Sequence, residues 1–276
     1  MTYTLLISTD DTKGLVYNIS SILYQHDLNI EKNDEFVDKE HNSFFMRTEI
    51  VGTLDEAKLL SQIKQALPQG AKVKLITKRK KSLILLATKE NHCIGDLLLR
   101  YENNELNADI KAVIANRENL KTLVERFGIP FYWVDSDNKP KAQYEREMIQ
   151  IIDSFKPDFL ALAKYMRILS PDFVRHYKDM IINIHHSFLP AFVGANPYKQ
   201  AYDRGVKIIG ATAHFVTQDL DGGPIIAQDI TQINHTYSRQ DMQKAGRNIE
   251  KNVFALALDL VLNDRVFLNG NKTIIF

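Results

Sequence analysis

A chain of 276 residues with 45% hydrophobic residues is long enough for one large domain or two smaller ones, and it can bury an ordinary core. The balance of 35 basic against 34 acidic residues gives no general pull toward nucleic acid or a membrane surface. A single cysteine, Cys93, cannot form an intrachain disulfide, which fits a reducing cytoplasm, and no apolar run approaches the roughly 18 residues of a spanning helix.

The first residues, MTYTLLISTDD, lack a charged leader and a cleavage site, so nothing in them suggests export. Alternation predicts a strand over 2–8, followed by the polar loop 9–14. A helix to about Gln25 carries Leu15, Ile19, Ile22 and Leu23 on one stripe. Two strands over 28–37 and 43–51 are joined by the polar hairpin 38–42, and an amphipathic helix over 54–67 leads into a strand over 71–77. Strand, helix, strand, strand, helix, strand is the split ferredoxin-like order, and a unit of this length folds alone.

In that unit Asp10 and Asp11 are suited to receive an ammonium group, and the helix-start amides near Gly14 a carboxylate. Asp11 or Thr12 acting only as a helix cap explains the same residues without a ligand. The basic run Lys78-Arg79-Lys80-Lys81 has no interleaved aromatics and reads as a solvated hinge rather than a nucleic-acid patch.

Beyond it the pattern changes. Strands over 83–87, 109–114, 129–134 and 159–163 alternate with helices, one bearing Leu97, Leu98 and Tyr101, one bearing Leu120, Leu123, Val124 and Phe127, and one over 144–155. This alternation predicts a doubly wound, mostly parallel α/β sheet whose ligands sit beyond the carboxyl ends of its strands. The first turn, 88–95, has neither a GxGxxG run nor a Walker pattern, so it predicts no nucleotide there. Cys93, near the start of the next helix, reads as a packing residue rather than a nucleophile.

The stretch that the rest of the chain serves follows. An apolar strand over 180–184 is interrupted by Asn183 and runs into His185 and His186. Asn183 and His185 are two apart and share a face, whereas His186 points the other way. A second strand over 207–216 carries His214, and the polar loop 217–220 delivers Asp221 against Gly222, Gly223 and Pro224. An amide, an imidazole and a carboxylate are the parts needed to attack a carbonyl-like carbon with water or an amine. Taken singly, Asn183 and His185 also suit strand ends that satisfy buried backbone, Asp221 suits a turn, and His214 suits a satisfied core histidine. The eight histidines include no HxxxH pair, so no metal site is expected. Ser238 and Asp241 have capping-box spacing, and Met242, Ala245, Ile249, Val253, Leu256 and Leu260 then form a helical stripe. A closing hairpin over 266–268 and 273–276 is expected to pack within this second domain.

These residues carry a resemblance. Asn183-Ile184-His185, Ser187-Phe188-Leu189-Pro190, Leu220-Asp221-Gly222-Gly223-Pro224 and Lys164-Tyr165-Met166-Arg167-Ile168-Leu169-Ser170 are similar to the formyltransferase fold that uses 10-formyltetrahydrofolate. The first unit, with its acidic loop and Asp27-Leu28-Asn29-Ile30 entering the second strand, resembles an ACT domain. The combination resembles the formyltetrahydrofolate deformylase family. It implies a regulatory domain over 1–77, a basic linker over 78–81 and a hydrolase domain over 82–276.

The resemblance also implies hydrolysis of 10-formyltetrahydrofolate to tetrahydrofolate and formate, which feeds purine synthesis. Asn183, His185 and Asp221 are then catalytic, with His214 and His186 supporting. Met166, Arg167, Leu169, Phe192 and Gly194 bind the folate, and Asp10, Asp11, Gly14 and Asn29 bind an amino-acid effector. No cofactor is expected besides the folate substrate, and no nucleic acid or membrane partner. A cytoplasmic homo-oligomer is expected, and a formyltransferase with an amine acceptor or a non-catalytic amino-acid sensor are the alternatives.

Overall fold

The computed structural model describes residues 1–191 and 197–276. The chain divides into two compact units, Met1–Arg79 with Asp264–Phe267 and Ile274–Phe276, and Lys80–Asn263 with Leu268–Thr273.

In the first unit, strands β1 (Thr2–Asp10), β2 (Asn29–Asp38), β3 (Ser43–Val51) and β4 (Lys72–Thr77) form an antiparallel sheet in the order β2-β3-β1-β4. Helices α1 (Leu15–Gln25) and α2 (Glu56–Ala66) supply Ile19, Leu23, Leu59 and Ile63 to one core with Leu5, Ile7, Phe44, Met46 and Ile50. This is the expected βαββαβ unit, with one addition. Strand β3 is buried on both faces: Phe45 and Arg47 alternate with Phe44 and Met46. Phe267 packs edge-on against Phe45 at 5.7 Å, and the Asp264 carbonyl accepts from Arg47 Nε at 3.0 Å. Leu268–Thr273 belong to the second unit, as the hairpin pattern suggests, with Thr273 Oγ1 donating to the Ile225 carbonyl at 2.6 Å, whereas Asp264–Phe267 and Ile274–Phe276 complete the first. The reason is the apolar Phe45, which alternation turns away from the helices and which needs a cover.

Residues 78–80 of the basic run are exposed and outside regular structure, and the division between the two units falls within them. The Lys78 N–H donates to the Thr2 carbonyl, Lys80 Nζ donates to Asn104 Oδ1, and Lys81 is buried where it opens the next strand.

In the second unit, β5 (Lys81–Ala87), β6 (Ala108–Ala115), β7 (Phe131–Trp133), β8 (Phe159–Ala163), β9 (Ile181–His185), β10 (Ile208–Phe215) and β11 (Ile225–Gln232) form one sheet. Its order is β11-β10-β9-β8-β5-β6-β7, parallel from β9 to β7, with β10 and β11 antiparallel at the other end. Helix α3 (His92–Glu102) follows β5, the short α4 (Lys121–Glu125) follows β6, and α5 (Lys141–Phe155) follows β7. Helices α6 (Pro171–His176), α7 (Pro197–Arg204) and α8 (Arg239–Leu262) complete the layers. One core cluster joins Ile84, Leu86, Ile114, Leu160 and Ile181 of the strands to Tyr144, Met148, Ile152 and Phe173 of the helices. Short strands β12 (Val266–Asn269) and β13 (Lys272–Ile275) pair with each other. Among the described residues, no helix is long and apolar enough to cross a membrane.

Candidate active site

Strands β8 and β9 are parallel neighbours, so their carboxyl ends bring the segment from Lys164 to Ser170 beside His185. Strand β10 returns antiparallel to β9 in a register that sets His214 opposite Asn183 and Thr212 opposite His185. Cross-strand partners of this kind lie within side-chain reach. The Asn183 amide nitrogen is 3.2 Å from His214 Nε2, and His214 Nδ1 donates to the Phe215 carbonyl at 2.9 Å. Burial pushes His214 below the ordinary histidine range, so the ring is neutral, and its Nε2 lone pair accepts from Asn183. His214 is therefore tied to the site, and it is the satisfied core histidine as well.

Asp221 reaches the same place from the loop between β10 and β11. Its backbone is left-handed, with φ 54°. Two residues on, Gly223 packs so tightly that an added Cβ would stand 1.8 Å from the Phe215 carbonyl oxygen. That approach lets the Phe215 N–H donate to the Pro224 carbonyl at 2.9 Å and closes the loop. The Asp221 carboxylate then sits 3.3 Å from His185 Nδ1 and 3.9 Å from His214 Nε2, with its side chain 9% exposed. The opposite ring nitrogen of His185, Nε2, is buried and has no hydrogen-bond partner. A buried polar atom without a partner is uncommon in a folded protein, and a substrate oxygen would supply one.

These four side chains and Met166, Arg167 and Leu169 line one cavity of about 360 Å³, a size within the range of small-molecule sites. The backbone N–H of Met166 is held by Thr88 Oγ1 at 3.0 Å, which ties the segment to the end of β5. Arg167 is not a loose surface charge: it donates to Ser136 Oγ at 3.1 Å and lies 5.4 Å over the Tyr144 ring. Phe192 and Gly194 lie outside the described residues. His186 faces away from the Asn183 side, as alternation predicts, yet it still lines this cavity and a second one. Burial, with the Lys164 charge adding, pulls His186 down to about 3.

Sequence reading missed a buried polar cluster beside this cavity. Glu250, inside α8, accepts from His92 Nε2 at 2.8 Å and Tyr198 OH at 2.5 Å, and lies 3.1 Å from Lys164 Nζ. The available signal was a glutamate one helical turn after Gly246, on the buried side of α8; Leu256, counted in the stripe, is exposed instead. Cys93 is buried beside this cluster, and burial together with the Glu250 charge pushes its thiol up, which suits a packing residue. His92, Cys93 and Glu250 have donor atoms close enough to share an ion, but the Lys164 ammonium already offsets the Glu250 charge.

The effector set is not brought together within the chain. Asp10 pairs across β3 with Asp38, through Ser43, at one end of the first sheet. Asn29 pairs with Val51 opposite Thr2 at the other end, roughly 27 Å away along the strand. The capping alternative also fails: Gly14 occupies the N-cap of α1 with no side-chain cap bond, and Asp11 donates its N–H to the Asn42 carbonyl.

A family profile described as formyl transferase matches residues 80–258, and one described as ACT domain matches residues 3–68. The chain is 50% identical over 271 residues to formyltetrahydrofolate deformylase of Haemophilus influenzae, covering 98% of each chain. A solved formyltetrahydrofolate deformylase from Pseudomonas syringae superposes with a TM-score of 0.96 at 40% identity, covering 100% of this chain and 94% of that one. A phosphoribosylglycinamide formyltransferase from Coxiella burnetii matches with a TM-score of 0.67 at 26% identity, covering 71% of this chain and 94% of its own. By fold, by site and by likeness over nearly its whole length, the chain belongs to the formyltetrahydrofolate deformylase family.

Proposed function

We propose that the chain hydrolyses 10-formyltetrahydrofolate to tetrahydrofolate and formate. The observation that carries this reading is the Asp221 carboxylate set 3.3 Å from His185 Nδ1 in a cavity that also takes Asn183 and the 166–169 segment. Water attacks the formyl carbon and Asp221 accepts its proton. The oxygen that becomes negative is received by the Asn183 amide and by His185 Nε2 when that nitrogen carries a proton. The bond from the formyl carbon to the folate nitrogen then breaks. The nitrogen takes the proton from Asp221, and the product leaves as formic acid, which gives its remaining proton to solvent to become formate. The segment bearing Met166, Arg167 and Leu169 holds the folate, largely through its backbone. No cofactor takes part, because a formamide carbon with a placed oxyanion site needs none.

The test is incubation of purified protein with 10-formyltetrahydrofolate and no amine, followed by assay for formate. Release of formate with a matching yield of tetrahydrofolate is expected, and its absence would sink the hydrolase reading. The first unit is read as the place where a small amino acid adjusts this activity in an oligomer, supported by its match to the ACT domain. Because Asn29 lies far from Asp10 and Asp11 in one chain, a site using all three needs a second copy. Adding single amino acids to the assay, with sedimentation of the protein alongside, tests both statements.

A further inference from the structure

A second cavity, of about 380 Å³, lies beside the formyl site and includes His92, Tyr198 and Glu250 in its wall. Lys164, Met166 and His186 line both cavities and so form what separates them. Lys164 is the unusual member. Its backbone is left-handed, with φ 60°, a conformation that residues other than glycine visit rarely. Its side chain is buried, and the ammonium lies 3.1 Å from a Glu250 carboxylate that is more deeply buried still. Burial pushes Glu250 up, but the His92 hydrogen bond, the Lys164 charge and the Tyr198 hydroxyl outweigh it and bring it down to about 2. Gly246 makes room for this: a Cβ there would stand 1.9 Å from the Tyr198 hydroxyl. Backbone strain, a fixed lysine side chain and two desolvated charges all cost stability, and features of this kind concentrate where a site uses them.

We propose that Lys164, latched by Glu250, is the partition that reserves the formyl carbon for water. The proposal rests on the hydrolase reading above. The fold by itself does not choose the acceptor, since it also serves a protein named as a formyltransferase. A primary amine large enough to need the second cavity would have to reach the formyl carbon past Lys164. It would meet the bulk of the buried Lys164 side chain, held in place by the Glu250 carboxylate 3.1 Å from its ammonium. Water is small and neutral and is not excluded. Only the nucleophile differs between the two outcomes. In both, a bond to the formyl carbon forms, the bond to the folate nitrogen breaks, and the nucleophile's proton passes to that nitrogen. Water gives formate; an amine gives an N-formyl amine.

The test compares wild type, K164G/E250Q and K164Q/E250Q, each given 10-formyltetrahydrofolate and glycinamide, with formate and N-formylglycinamide both measured. Glycine at 164 suits the left-handed backbone and opens the wall, while glutamine at 250 keeps partners for His92 and Tyr198 without an unpaired charge. Wild type should give formate with no more than a trace of N-formylglycinamide. K164G/E250Q should raise the ratio of N-formyl product to formate by at least roughly tenfold, and K164Q/E250Q, which removes both charges of the pair but keeps most of the bulk, should raise it less. Variants that fold and release formate at the wild-type product ratio would overturn the proposal, as would folded variants that make neither product. Should K164G/E250Q not fold, the ratio from K164Q/E250Q decides alone. A wild-type protein that releases no formate without amine instead overturns the hydrolase reading, whatever the variants do.

Discussion

Asn183 and His214 face each other across the antiparallel pair β9 and β10, with the amide nitrogen of one 3.2 Å from Nε2 of the other. Because the Phe215 carbonyl occupies Nδ1 of the neutral ring, Nε2 can only accept. His214 thereby takes one hydrogen of the Asn183 amide and fixes which end of that amide is the nitrogen. In the proposed hydrolysis the second hydrogen is the one that meets the formyl oxygen. Replacing His214 with Ala should lower kcat by about 10- to 100-fold, less than the loss of a direct oxyanion donor, with KM little changed. His214→Gln, which can still present an acceptor, should recover part of the loss. Steady-state formate release decides, and a rise in KM at constant kcat would contradict the positioning role.

Asp221→Asn keeps the shape of the side chain and removes its ability to take a proton. With the carboxylate as general base, kcat should fall by roughly 100- to 10,000-fold. Tetrahydrofolate binding, followed by calorimetry, should stay within a few-fold of wild type. Turnover within fivefold of wild type would remove Asp221 from the proton path.

Gly223→Ala tests how the loop aims Asp221. The new Cβ would fall 1.8 Å from the Phe215 carbonyl oxygen, which is backbone and cannot swing aside. Either β10 or the loop must shift, at a cost of about 1–3 kcal/mol, and the carboxylate two residues away shifts with it. Activity should fall much further than the melting temperature. Gly95→Ala is the contrast: it sits in α3 with open space around its Cβ position, and it should leave activity unchanged.

What could be read from residues alone follows from where the information is local. The strand over 2–8, the helical stripe of α1 and the Ser238–Asp241 capping box depend on neighbours in sequence, and the structure has all of them. That Asn183 and His185 share the end of one strand was legible because strand parity acts over a few residues, whereas Asp221, on a separate loop, was joined to them by the resemblance. Register is not local. Nothing near Asn29 says that it pairs at the opposite end of the sheet from Asp10, so the separation of these residues within one chain was not legible. Glu250 was missed because one carboxylate in a helix reads as its wet face, and its partners Lys164, His92 and Tyr198 come from three other segments. Strand β11 was hidden because Gly222, Gly223 and Pro224 were read only as the setting of Asp221, and they lead directly into it. Helix α6 did carry a signal, Ser170 capping Phe173 with Pro171 at the first turn, but its six residues show too little periodicity.

His186 gives a pH-dependent contribution whose sign can be worked out. Burial first, then the Lys164 charge, take its folded value from 6.5 to about 3. Between these values the unfolded chain binds a proton that the folded chain refuses. Stability from this group is therefore complete above pH 6.5 and is lost as pH falls from 6.5 toward 3. Urea midpoints at pH 7.5, 6 and 5 should fall more steeply for wild type than for His186→Gln. Parallel curves for the two proteins would show that His186 does not titrate differently on folding.

The end of the chain should matter to the first unit although it is remote from it in sequence. Phe45 is 1% exposed, and part of its cover is Phe267, 5.7 Å away edge to face. Arg47, on the same face of β3, donates to the Asp264 carbonyl and to Glu49. Phe267→Ala leaves a void against Phe45 and should cost about 3 kcal/mol, at the low end for an aromatic because Phe267 lies at the rim of the core. A chain ending at Asn263 loses this cover altogether. It leaves Phe45 wet and Arg47 without its carbonyl partner. Hydrogen exchange should then show faster opening of β3 and its partner β1, while β8 and β9 keep their protection. Equal protection of β3 with and without the last residues would mean that residues 1–79 are sufficient for their own stability and that the tail only rests on them.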